Sequence, residues 1–184
     1  EIDGTLALTT LFHSVSCRTA GFNTTDLGQY SALSTLVMML LMFVGASPGS
    51  TGGGIKTMTF ALLFLAIWAR LRKRDKIEIF HREIPDEASF SALVVIGVSL
   101  FVVSTLLALL FFFESQAIAD NRISSLNLAF EAVSCFATVG LSRGITGDLS
   151  EAGRIIIMLG MFLGRIGPLT IVLVMAGTAN HQRP

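Results

Sequence analysis

The sequence is short of almost everything from which a water-solvated domain or an enzyme is built. Only 14% of its 184 residues are charged, roughly half of the ~25% usual for a soluble domain. Thirteen Lys plus Arg are balanced by thirteen Asp plus Glu, so no basic excess exists to neutralise phosphates and no nucleic-acid partner is expected. Two cysteines are too few for a disulfide framework or a tetrahedral zinc site. No nucleophile, base and orienting group converge, so the chain is read as a non-enzyme with no catalytic residue and no metal site. The stretch from Gly49 to Thr57 comes near a phosphate-binding loop, but Lys56 falls one residue late and no strand precedes it. There is neither an initiator Met nor a signal peptide, and the chain reads as a piece of something longer.

What the sequence does have is apolar residues, 52% of the total, with a mean hydropathy of +0.72. The membrane is the class that remains. Eleven charges crowd into residues 70–87: Arg70, Arg72, Lys73, Arg74, Asp75, Lys76, Glu78, Arg82, Glu83, Asp86 and Glu87. Residues 93–113 carry no charge, enough helix for a bilayer core of about 30 Å. Residues 155–176 form another span, interrupted only by Arg165 and Pro168. Between the apolar stretches 34–44 and 58–69 lies Gly45-Ala-Ser-Pro-Gly-Ser-Thr-Gly-Gly-Gly-Ile-Lys-Thr57. Each apolar half reaches only about 16–18 Å as helix, so the two halves make one interrupted crossing, and three crossings are expected. Six Lys or Arg between positions 70 and 82 place the linker 70–90 in the cytoplasm and segments 1–33 and 114–152 outside.

The two outer segments repeat one another. Phe12-His-Ser-Val-Ser-Cys17-Arg-Thr19-Ala-Gly21-Phe-Asn can be laid on Phe130-Glu-Ala-Val-Ser-Cys135-Phe-Ala-Thr138-Val-Gly140-Leu-Ser, with one residue inserted before the second Thr. Each Thr-x-Gly follows a short apolar stretch, 6–17 or 126–136, of half-crossing length at about 17–18 Å. Asp3 or Thr5 is the expected cap of the first, Ser124 or Ser125 of the second. A helix that dips in from outside aims its carbonyl end, with its partial negative charge, at mid-membrane, where a cation is favoured. Stripping water from K⁺ requires carbonyl oxygens in its place. Aiming successive carbonyls at one axis needs backbone angles that glycine adopts cheaply, which accounts for Gly21 and Gly140.

These residues, with the glycine-rich break, resemble the Trk/Ktr/HKT superfamily of cation transporters, and within it the KtrB-type membrane subunit. The resemblance spans nearly the whole chain and implies an all-α membrane protein of helix–pore-loop–helix repeats, potassium-channel-like, with two of an expected four present. Residues 1–69 would be the pore helix, filter loop and broken inner helix of the third repeat, 70–90 the charged linker, and 91–184 the complete fourth repeat. Carried over, the filter carbonyls would be those of Thr19, Ala20, Gly21, Phe22, Thr138, Val139, Gly140 and Leu141. The break would be an intramembrane gate loop comprising Gly45, Ser47, Pro48, Gly49, Ser50, Thr51, Gly52, Gly53, Gly54 and Lys56. The resemblance further implies K⁺ uptake across the plasma membrane of a bacterium, a homodimer of the full-length subunit, and a cytosolic nucleotide-binding ring of the RCK type. No tightly bound cofactor is expected; K⁺ is the permeant ion and Na⁺ a candidate activator. An ion-coupled secondary symporter, with the broken helix as a mid-membrane substrate site, is the alternative.

An Arg in mid-span costs about 2.5–3.5 kcal/mol or more unless it meets water or a partner. The resemblance gives Arg165 the intramembrane loop as that partner and makes it part of the gate. His13 and Glu131 fill the same slot of the two repeats and are read as satisfied polar groups behind the filter. Cys17 and Cys135 are read as small buried residues, and Asn23-Thr24-Thr25 as an idle sequon.

Overall fold

The computed structural model describes residues 4–45, 47, 49, 52–72, 77–79, 82–84 and 86–166. Within them the chain runs α1 (Gly4–Ser16), a 3-10 turn (Leu27–Gln29), α2 (Ala32–Phe43), α3 (Thr57–Leu71), β1 (Ile77–Ile79), β2 (Arg82–Ile84), α4 (Asp86–Phe113), α5 (Ser115–Ala119), α6 (Ser125–Phe136) and α7 (Glu151–Ile166). Helix dominates because a backbone in hydrocarbon must satisfy its polar groups internally. Among the described residues, α4 alone is long and apolar enough to cross by itself, over Ala88–Phe113. Its Phe101 and Phe112 are 73% and 74% exposed, as side chains facing lipid would be.

The break expected after residue 44 is present. Helices α2 and α3 have 12 and 15 residues, about 18 and 22 Å at 1.5 Å per residue. Their facing ends are joined: Gly45 N donates to Ile55 O (2.9 Å) and Ile55 N to Phe43 O (3.3 Å), a parallel bridge between Val44 and Ile55. The glycine-rich segment therefore leaves and re-enters the helical path at one neck. Helices α1 and α6 have the expected half-crossing length, with 13 and 12 residues. Ser124 stands at the α6 N-cap without a side-chain cap bond. Thr5 lies inside α1, its carbonyl accepting from Thr9 Oγ1, and Asp3 lies outside the described residues. Of the third expected span, α7 is described as far as Ile166; Pro168 and residues 167–176 are not among the described residues.

Among the described residues the named strands are those of a short antiparallel hairpin within the charged linker, where Ile77 pairs with Ile84, Glu78 with Glu83 and Ile79 with Arg82. Alternation of β-branched Ile with charge over three residues is a strand pattern too short to stand out in sequence. Helix α3 runs on into the linker to Leu71, and α4 begins at Asp86.

The core centres on α6. Leu128, Ala132, Cys135 and Phe136 pack with Leu106 and Leu110 of α4 and Ile156 and Ile157 of α7. A second cluster joins the repeats: Phe130, Ala137, Val139 and Leu141 meet Cys17, Leu27, Met38 and Met42. Helix α7 approaches α6 through glycines four apart, the small-residue spacing of close membrane packing. A Cβ at Gly164 would overlap the Phe136 carbonyl, and one at Gly160 would lie 2.8 Å from Cys135 Sγ. The start of α7 is held from α4's end. Buried Glu114 accepts from Ser150 N (2.9 Å) and Ser150 Oγ (2.6 Å), and Ser150 Oγ accepts from Gly153 N (3.1 Å). A carboxylate is well placed at a helix N-terminus, where unpaired amides and the positive dipole end gather.

Candidate functional site

The two Thr-x-Gly turns adopt the same backbone path. Thr19 and Thr138 have φ of +69° and +53°, Gly21 and Gly140 of +75° and +86°. A non-glycine residue at positive φ is uncommon and costs of order 1–3 kcal/mol; here it recurs at matching positions. In an extended strand successive residues alternate sides, so interleaved left-handed residues allow neighbouring carbonyls to share one side. The turns also meet each other: a Cβ at Gly21 would overlap Val139 O. Glycine is required at residue 21 for both reasons.

Each turn is gripped by the helix before it, α1 or α6. Ser16 O accepts from Ala20 N (3.1 Å) and Gly21 N (3.2 Å), and Ser134 O accepts from Val139 N (3.0 Å). Ser16 Oγ donates to Phe22 O, and Ser134 Oγ donates to Leu141 O (2.6 Å). Phe22 and Leu141, the last residues of the candidate filter, thus each have a carbonyl that accepts from a serine of the preceding helix. The residue inserted in the second repeat is absorbed at the end of α6, where Ala137 caps the helix.

The break docks beneath the second turn. Gly53 N donates to Thr138 Oγ1 at 2.8 Å. A Cβ at Gly53 would lie 2.6 Å from that oxygen and 2.9 Å from Gly164 O, so only glycine fits. Gly54, with φ +73°, lies against Ala137. Lys56 Nζ donates to Gly52 O (2.6 Å), bridging the second side of the loop. Gly45 is buried, and Gly49 has φ +81° and is exposed, as is Ser47. Pro48, Ser50 and Thr51 lie outside the described residues. Arg165 is exposed in the last turn of α7, directly after the Gly164 carbonyl that abuts Gly53.

Behind the turns, the matching slots 13 and 131 are both buried and both reach the chain beyond the turn. His13 contacts Thr9 O (2.9 Å), Tyr30 Oη (3.3 Å) and Thr25 Oγ1 (3.5 Å). Glu131 accepts from Ser142 Oγ and from Thr146 Oγ1 (3.2 Å). Cys17 and Cys135 are buried and unbridged. Arg143, which sequence reading passed over, reaches from beyond the second turn to the first repeat. It donates to Thr35 Oγ1, Gly28 O (2.9 Å) and Tyr30 O (3.4 Å). Its sequence signal is weak, one of two charges, with Asp148, in the loop 141–150.

The family model described as TrkH, cation transport protein, matches residues 2–182. The chain belongs to the TrkH family. It is 41% identical over 92% of its length to Ktr system potassium uptake protein B of Vibrio alginolyticus, and 40% identical over 95% to Ktr system potassium uptake protein D of Bacillus subtilis. It is 35% identical over 94% of its length to the potassium/sodium uptake protein NtpJ of Enterococcus hirae. The chain spans 36–38% of the length of these TrkH-family relatives. As a member of a cation transport family it is a membrane protein, in keeping with α4 and the apolar half-helices.

Proposed function

We propose that this chain supplies two of the four sides of a K⁺ uptake pore in the cell membrane. The observation that carries the reading is the pair of equivalent, mutually touching turns at Thr19–Gly21 and Thr138–Gly140, each with Thr and Gly at positive φ. Carbonyls of both turns replace the hydration shell of K⁺, and the partial negative ends of α1 and α6 add to the attraction. The remaining sides come from further repeats of the same protein. The names of the relatives, potassium uptake proteins, support K⁺ as the permeant ion, and NtpJ's name keeps Na⁺ in view as a second ion.

The loop from Gly45 to Lys56 is the gate. Its docking on Thr138 Oγ1 supports a seat at the inner end of the second turn, and exposed backbone at that depth is tolerated only beside a cavity. Arg165 adds a positive barrier there. The linker 70–90 faces the cytoplasm, the turns open outward, and the full protein pairs as a homodimer on a cytosolic RCK-type ring. The "Ktr system" names of the relatives support a multi-component assembly. The test is K⁺ uptake by the full-length protein in cells lacking their own K⁺ transporters, for Gly21→Ser and Gly140→Ser. Loss of K⁺-over-Na⁺ discrimination is expected; selectivity that survives both changes together sinks the reading.

A further inference from the structure

The serine of each Val-Ser-Cys triplet holds its turn at two points. Its backbone carbonyl takes the amide of the middle turn residue, Ala20 or Val139. Its hydroxyl takes the first carbonyl beyond the glycine, Phe22 O from Ser16 and Leu141 O from Ser134. Both serines are 2% exposed, so neither hydroxyl nor carbonyl has water as a substitute partner, and an unmet buried polar group is costly. Among the described residues no donor reaches the carbonyls of Thr19, Ala20, Gly21, Thr138, Val139 or Gly140. Each turn therefore presents three unclaimed carbonyls followed by one that is claimed from behind.

We propose that Ser16 and Ser134 are positioning residues that set the outer end of the filter. By drawing the Phe22 and Leu141 carbonyls back to the pore helices, they restrict each repeat to three ion-facing carbonyls. Selectivity depends on how many carbonyl dipoles coordinate the ion and how firmly they are held. A released fourth carbonyl swings toward the pore, adds a loose oxygen ring at the mouth and admits Na⁺. The inference rests on the filter reading above and concerns its length and its support.

The test compares Ser16→Ala and Ser134→Ala with Ser16→Thr and Ser134→Thr in the full-length protein, reading Rb⁺ uptake against Na⁺ competition. Each Ala variant is expected to lose about tenfold in K⁺-over-Na⁺ preference, the size a single lost hydrogen bond can have. The Thr variants, which keep the hydroxyl, restore it. Ala variants with normal thermal stability and unchanged selectivity overturn the proposal, as do Thr variants as impaired as the Ala ones. Where an Ala variant does not fold, the unmodified protein decides, semisynthetically labelled with ¹³C=¹⁸O at Gly140 or Leu141. On exchange of K⁺ for Na⁺ the Gly140 carbonyl band should shift and the Leu141 band should not; a shift at Leu141 overturns the proposal. Gly21→Ser and Gly140→Ser separate the two failures, since insensitivity there condemns the filter reading itself.

Discussion

Gly53 and Thr138, 85 residues apart in sequence, are joined by a 2.8 Å hydrogen bond from the Gly53 amide to the Thr138 hydroxyl. One residue lies in the glycine-rich break and the other opens the second Thr-x-Gly turn, so the loop is tied directly to the turn. Moving the loop changes what the Thr138 hydroxyl is bonded to.

That contact predicts a leaky variant. In Gly53→Ala the added methyl would stand 2.6 Å from Thr138 Oγ1, 2.7 Å from Thr138 Cγ2 and 2.9 Å from the Gly164 carbonyl. The backbone oxygen cannot step aside, so the loop must. If the loop is the proposed gate, a strain of about 1–3 kcal/mol is expected to raise resting K⁺ flux roughly 5- to 150-fold, measurable as K⁺ uptake by the full-length protein produced by itself. Unchanged resting flux in a folded variant counts against the loop as gate.

Two glycines of α7 should fail in different ways. Gly164→Ala drives its methyl into the Phe136 backbone and is expected to abolish folded protein. Gly160→Ala meets side chains instead, Cys135 Sγ at 2.8 Å and Leu106 Cδ1 at 3.0 Å, and should cost about 1–3 kcal/mol. The double variant Gly160→Ala/Cys135→Ala should recover most of that loss, while Cys135→Ala should do nothing for Gly164→Ala. Thermal unfolding in detergent distinguishes them.

Glu114 is expected to matter for stability and not for ion choice. Its carboxylate holds both the amide and hydroxyl of Ser150 at the head of α7, and hydrogen bonds to a charged group contribute about 1.5–3 kcal/mol. Glu114→Ala should lower the unfolding temperature and leave K⁺/Na⁺ selectivity as it was. A selectivity change equal to that of the turn glycines would contradict this assignment.

Arg143 should stiffen the outer mouth. It ties its own loop to Gly28, Tyr30 and Thr35 of the other repeat. In Arg143→Ala, hydrogen exchange should rise about tenfold or more over residues 26–31, with the charge-assisted bonds gone. Exchange in α6 should stay as before. Uniform acceleration of both would show a general loss of stability instead.

Much of this arrangement was legible because it is written in local patterns. The half-length of α1 and α6, the break between α2 and α3, and the echo of Phe12–Gly21 in Phe130–Gly140 all follow from hydropathy and glycine placement. Side-chain reach was not legible. Nothing in the order of residues says that Ser134 turns to Leu141, that Arg143 crosses to Thr35, or that Gly53 finds Thr138. These depend on how the two repeats pack, and no local period encodes that. The same holds for Phe22 and Leu141, since nothing in the motif says that their carbonyls accept from the serine hydroxyls. The hairpin at Ile77–Ile84 was hidden for a different reason, since strands of three residues among charges leave almost no periodic signal.

The bridge between Val44 and Ile55 fixes the length of a leash. Ten residues lie between those two positions; five out and five back, at about 3.3–3.6 Å each, give a travel of roughly 17 Å at full stretch. That exceeds half of the ~30 Å hydrocarbon thickness. For the proposed gate, a leash of that length lets the loop swing clear while the bridge between Val44 and Ile55 stays closed. Opening of the proposed gate would then cost the contacts of a short strip, the Gly53–Thr138 hydrogen bond among them, and not a change in how α2 and α3 meet.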